Sequence, residues 1–138
     1  MLKVRNDQAG DGEYGALRTR STGEAYRHKG VDLLARPGDP WLAPWPMEIT
    51  RAADPYGDRQ YSGFHWESQQ MKGWVFYVMP HQRLIGKTVK RGEPVGIVQD
   101  ITMRYPGRGM KPHVHLQIDQ IDPTIILRLI GLIERLQS

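Results

Sequence analysis

Two histidines one residue apart, His113 and His115, stand in the piece Lys111-Pro112-His113-Val114-His115-Leu116-Gln117-Ile118. In an extended strand successive side chains face opposite ways, so both imidazoles look into one place while Val114 and Leu116 turn to the other side. A half-buried strand carrying two surface histidines gives the same pattern. Far upstream, His28-Lys29-Gly30-Val31-Asp32 offers an imidazole and a carboxylate about a glycine-containing turn. The chain has no cysteine, so a metal that favours nitrogen, sulfur and oxygen donors in a small tetrahedral set, as zinc does, would have to be held by histidine and carboxylate alone. Three such ligands and one open position would mark a catalytic site rather than a structural one.

The elements that would carry these residues read as mainly β. Gly73-Trp74-Val75-Phe76-Tyr77-Val78-Met79 is β-branched and aromatic, a strand ended by Pro80. Val95 to Val98 reads as a short buried strand behind the Gly92 turn. Prolines 37, 40, 44 and 46 cut residues 31–49 into short strands and tight turns, with Trp41 and Trp45 as core aromatics. Residues 51–73 form the least regular stretch; His65 and Glu67 share a face there if it is extended, as solvated loop residues or as a second metal or substrate contact. Arg104, Arg108 and Lys111 lie on a glycine-bearing loop, either solvated or facing substrate carboxylates. Asp122 caps and Pro123 opens an amphipathic helix over residues 123–137, with Ile125, Ile126, Leu129, Ile130, Ile133 and Leu136 on its apolar face and Leu127 on the far side. The expected architecture is one domain over 1–138: an irregular N-terminal arm (1–11), a small antiparallel β core (12–121) and the C-terminal helix (122–138).

With 138 residues the chain can enclose one modest core. A net charge of +4 and a pI near 9.5 favour contact with anionic polymers, cell-wall polymers included. The basic residues are scattered, so no nucleic-acid footprint is expected. No apolar run is long enough for a membrane span, and residues 1–15 lack the apolar core of a secretory signal, which leaves the localisation unassigned.

His28-x-x-x-Asp32 followed at long range by His113-x-His115 resembles the motif pair of the LytM/lysostaphin-type zinc peptidases, which cut peptide cross-links in bacterial cell walls. Arg27 to Leu33, Pro37-Gly38-Asp39-Pro40, Ala43-Pro44, and Val89 to Gly96 are similar to further family segments. They stand in the family's order over roughly residues 12 to 127. Tyr14-Gly15-Ala16-Leu17-Arg18 resembles a family segment that walls the substrate groove. Active members carry a histidine two residues after the tyrosine of the Gly73–Met79 strand; here that position is Met79, and His81 follows. Phe76-Tyr77-Val78-Met79-Pro80 and Tyr105-Pro106-Gly107 are similar to the chemotaxin-type branch, whose members keep the zinc ligands and lack that histidine.

The resemblance implies Zn2+ held by His28, Asp32 and His115, with His113 as general base or transition-state donor and His81 as the second catalytic histidine. It implies a zinc-dependent endopeptidase acting on peptidoglycan stem peptides or cross-bridges, in a setting such as a phage lysin or virion-borne enzyme. The other reading is a catalytically silent zinc-binding module within a larger assembly, contacting other virion proteins through the C-terminal helix.

Overall fold

Side-chain alternation decides the strand that carries both histidines. Val114, Leu116 and Ile118 are buried to 0%, 0% and 1% exposure on one face, while His113, His115 and Gln117 project from the other. The computed structural model describes residues 1–119 and 121–133, and it is mainly β. The N-terminal third contains β1 (Asn6–Asp7), β2 (Gly10–Asp11), β3 (Leu17–Thr19), β4 (Ala25–Arg27), β5 (Val31–Leu34) and β6 (Pro40–Leu42). There follow β7 (Met47–Ala53), β8 (Gly63–Ser68), β9 (Met71–Phe76), β10 (Val78–Pro80), β11 (Thr88–Val89), β12 (Pro94–Val98), β13 (His113–Ile118) and a helix, α1 (Pro123–Leu129).

Six strands form an antiparallel sheet in the order β11-β7-β8-β9-β13-β5, and three form a second in the order β10-β12-β6. One hydrophobic cluster draws on both sheets: Val75, Val114 and Leu116 from the larger, Val78, Val95 and Val98 from the smaller. Trp45 packs edge-on against Trp66 at 5.3 Å and Trp41 against Phe64 at 5.9 Å, so the two proline-flanked tryptophans fill the core as their size requires. The polypeptide leaves one sheet for the other at Tyr77, whose φ of 73° breaks the strand between β9 and β10.

Three expectations are corrected. The stretch 51–73 is irregular only between β7 and β8; its remainder belongs to β7, β8 and the start of β9, joined by a tight turn with Gln69 at φ 52°. His65 is buried there, within 2.7 Å of Thr50 Oγ1 and edge-on to Trp74, so it braces the sheet and does not share a face-borne site with exposed Glu67. The C-terminal helix is shorter than its apolar periodicity suggests. Asp122 accepts from the Thr124 N–H and Pro123 opens the helix as expected, but it ends at Leu129, and Gly131 at φ 77° turns the chain so that Ile133 bridges Leu2. Its faces are only partly as expected: Ile126 and Ile130 pack against the core and Ile133 is buried, but Thr124 and Leu127 are buried as well, while Ile125 and Leu129 are 52% and 71% exposed. Two turns of helix dock through the residues nearest the sheet, and the buried stripe is rotated accordingly. Residues 134–137 of the expected helix lie outside the described residues.

The N-terminal arm is pinned along β5. Arg5 N–H donates to the Asp32 carbonyl and Leu34 N–H to the Lys3 carbonyl, both at 2.8 Å, and β1 and β2 then form a small hairpin. No helix among the described residues is long and apolar enough to cross a membrane.

Candidate metal centre

Three elements bring the sequence-marked residues together. At the base of the β3–β4 hairpin, Gly15 N–H donates to the His28 carbonyl and His28 N–H to the Ala16 carbonyl, both at 2.8 Å, which fixes the histidine backbone. Asp32 sits on β5 between core-facing Val31 and Leu33, so it points to the opposite face. On that face β13 sets His115 directly across from Asp32. Between His28 and Asp32, a Cβ at residue 30 would lie 2.5 Å from the Leu116 carbonyl oxygen and 2.7 Å from the His115 ring. Only glycine lets this turn close onto β13.

The result is a triangle of donor atoms. His28 Nε2 is 3.1 Å from His115 Nδ1 and 3.2 Å from Asp32 Oδ1, and His115 Nδ1 is 3.2 Å from the same oxygen. Tetrahedral ligands about 2.0–2.1 Å from zinc stand about 3.3 Å from one another, so the spacing fits. The outer nitrogens are already engaged. His28 Nδ1 donates to the Glu13 carbonyl at 3.0 Å, and His115 Nε2 donates to Gln117 Oε1 at 3.1 Å, while the Gln117 amide nitrogen donates to Asp119 Oδ1 at 3.3 Å. Those partners put each ring proton on the outside and leave both inner nitrogens as lone pairs. Two lone pairs and a carboxylate converge on one point, and only protons or a cation can reconcile them.

His113 stands beside the triangle and outside it. Its Nδ1 donates to the Lys111 carbonyl at 2.8 Å, leaving Nε2 as an acceptor 3.6 Å from Asp32 Oδ2. Burial lowers its pKa, against the pull of Asp32, so the ring is neutral at neutral pH. His28, Asp32, His113 and His115 all line one groove of about 770 Å³. His81, expected as a second catalytic histidine, is not among its lining residues. Its strand has passed at Tyr77 into the smaller sheet, where the His81 N–H donates to the Val95 carbonyl. Met79, 55% exposed, is not in the groove either.

The basic loop is only partly as expected. Arg104 is paired with Asp58 at 2.8 Å and stacked 3.6 Å over the Tyr56 ring, and Lys111 is not in the groove, whereas Arg108 is. Arg18, Arg20 and Lys29 join Arg108 on the groove walls; of the Tyr14–Arg18 segment, Arg18 is there and Tyr14 is not.

Two groups of site residues were assigned no individual role from the sequence, although Tyr77 and Tyr105 stand in segments that carry the family resemblance. Arg5 is buried, with Nε and Nη2 at 3.3 and 3.2 Å from Asp32 Oδ2 and Nη1 at 2.9 Å from Asp7. Asp7 in turn accepts from the Lys111 N–H at 2.8 Å, which closes a circuit from Asp32 through the N-terminal hairpin to the residue that holds His113. The second group is three tyrosines, Tyr56, Tyr77 and Tyr105, on the groove wall. Gln117, by contrast, was legible: it is the next same-face residue after His115.

No protein-family model matches the sequence, and neither does any curated protein. Among solved structures, a solution structure of lysostaphin aligns with 99% of the chain at a TM-score of 0.66 and 22% identity. Its fold is lysostaphin-like. The crystal structure of the catalytic domain of lysostaphin, an antimicrobial peptidase from Staphylococcus simulans, aligns over 84% of the chain and 89% of that domain, with a TM-score of 0.58 and 24% identity. The chain spans about half the length of the lysostaphin chain in that solution structure, 54%. The lysostaphin-like fold is thus the frame that carries the His28-Asp32-His115 triangle.

Proposed function

We propose that the chain is a zinc-dependent peptidase that hydrolyses amide bonds in peptidoglycan stem peptides or cross-bridges. The observation that carries this reading is the triangle of ligand atoms at His28, Asp32 and His115, with His113 beside it. Similarity to the lysostaphin catalytic domain supports the choice of reaction. Zinc held there would supply Lewis acidity and lower the pKa of a water molecule. His113, neutral and lining the groove, would accept at Nε2 the proton released when water adds to the scissile carbonyl. The Lys111 carbonyl orients the ring for that step, and Arg5 holds Asp32 Oδ2 so that Oδ1 stays turned toward the two histidines. Arg18, Arg20, Lys29 and Arg108 give the walls a positive charge suited to a peptide bearing carboxylates.

Mass spectrometry of muropeptides released from sacculi tests this reading. Loss of cross-linked dimers and appearance of free amines is the expected outcome, and an unchanged profile contradicts it. The position of His81 and Met79 outside the groove favours the second reading, a zinc-binding module without activity, in which case the profile stays unchanged while zinc still binds.

A further inference from the structure

One wall of the groove is a chain of three phenols. Tyr56 Oη lies 3.0 Å from Tyr77 Oη and 2.9 Å from Tyr105 Oη. Tyr77 is the end nearest the candidate metal centre: its ring meets His113 edge-on with centroids 5.6 Å apart, and the adjacent Phe76 stacks on His115 at 5.3 Å. Each phenol has one proton to donate. When Tyr56 passes its proton along the chain, two hydrogen bonds use two of the three protons, and one end keeps a free O–H.

The flanking charge decides which end. The Arg104 guanidinium sits over the Tyr56 ring, borders the Tyr105 hydroxyl and is anchored by Asp58, at the end opposite Tyr77. A cation draws hydroxyl lone pairs toward itself. Tyr105 donates to Tyr56, Tyr56 donates to Tyr77, and the Tyr77 O–H is left for the groove. Burial raises the pKa of Tyr77 and Tyr56 above the ordinary phenol value, so both remain donors through the neutral range.

The backbone at Tyr77 points the same way. A φ of 73° is a region that tyrosine rarely adopts, and it is held by two bonds, Tyr77 N–H to the Ser62 carbonyl at 2.8 Å and Gln99 N–H to the Tyr77 carbonyl at 2.9 Å. Glycine would make this crossing between sheets without strain but would bring no hydroxyl to the wall.

We propose that Tyr77 is a further catalytic residue: its phenolic O–H donates to the carbonyl oxygen of the scissile amide as that oxygen gains negative charge, with Tyr56 and Tyr105 orienting the donor. The phenol keeps its proton throughout. This rests on the peptidase reading, and the test separates the two. A phosphinate peptide, in which the scissile amide is replaced by a tetrahedral anion, is titrated into zinc-loaded wild type, Tyr77→Phe and Tyr56→Phe, and kcat and KM are measured on the parent amide. Tyr77→Phe keeps the ring and the zinc content. It is expected to bind the phosphinate about 100-fold more weakly and to lose about 10²–10³-fold in kcat at unchanged KM. Tyr56→Phe, which disturbs only the orientation, loses less in both. Equal kcat and equal phosphinate affinity in wild type and Tyr77→Phe remove Tyr77 from the site and leave the peptidase reading standing. A wild type that neither cleaves the amide nor binds the phosphinate overturns both.

Discussion

At the scale of single residues, the four histidine and aspartate positions owe their legibility to short spacing. His113 and His115 share a strand face, and His28 and Asp32 flank one glycine turn, so their geometry is local and the sequence shows it. Arg5 and Tyr77 lie beyond such reading. Arg5 meets Asp32 across 27 positions, and the conformation that turns Tyr77 into the groove is one that its side chain disfavours. His81 fails for the same reason, since its place in the groove depended on a strand that breaks at residue 77. The inner-nitrogen geometry makes a sharp prediction about metal content. Wild type is expected to hold a single zinc equivalent by elemental analysis, which His28→Ala and His115→Ala each lose and His113→Ala retains. Equal zinc in all three variants contradicts the ligand set.

At the scale of elements, the β1–β2 hairpin has a task that its polar composition did not announce. Asp7 joins Arg5 to the Lys111 N–H, so it ties the arm to both β5 and the approach to β13. Burial pushes the Asp7 carboxyl up, but the Lys111 N–H, Arg5 and the Ala9 N–H outweigh it and hold the pKa below the ordinary value. A depressed carboxyl stabilises the fold above its unfolded pKa, about 4, and that contribution disappears as pH falls through the folded value. Asp7→Asn is expected to cost about 2 kcal/mol in urea unfolding of the zinc-free protein at pH 7, with the gap to wild type closing below about pH 4. A gap that stays constant down to pH 3 contradicts the pairing. The helix shows the converse limit: Asp122 and Pro123 marked its start, which is local chemistry, while its end and its buried face were set by docking and by the turn at Gly131.

At the scale of the molecule, the mainly β, antiparallel character followed from alternation and from the proline-cut hairpins. The division into two sheets did not, because it turns on one strained residue. Four basic side chains, Arg18, Arg20, Lys29 and Arg108, come together from β3 and the turn that follows it, the turn after β4 and the loop before β13; in sequence they look scattered. Screening shortens the reach of such charges to about 10 Å at 0.1 M salt and about 3 Å at 1 M. For wall peptides with free carboxylates KM should therefore rise several-fold over that range, and for a neutral glycine peptide it should change little. The same salt response for both peptides contradicts a role for the basic walls in binding.

The central claim is that the triangle and His113 together form a hydrolytic site, and the rate of amino-group release from purified peptidoglycan tests it most directly. Wild type and His113→Ala are compared with one zinc equivalent bound to each. Release by wild type with a loss of at least 10²-fold in the variant is the predicted result. No release from wild type, or the same rate from both, contradicts it.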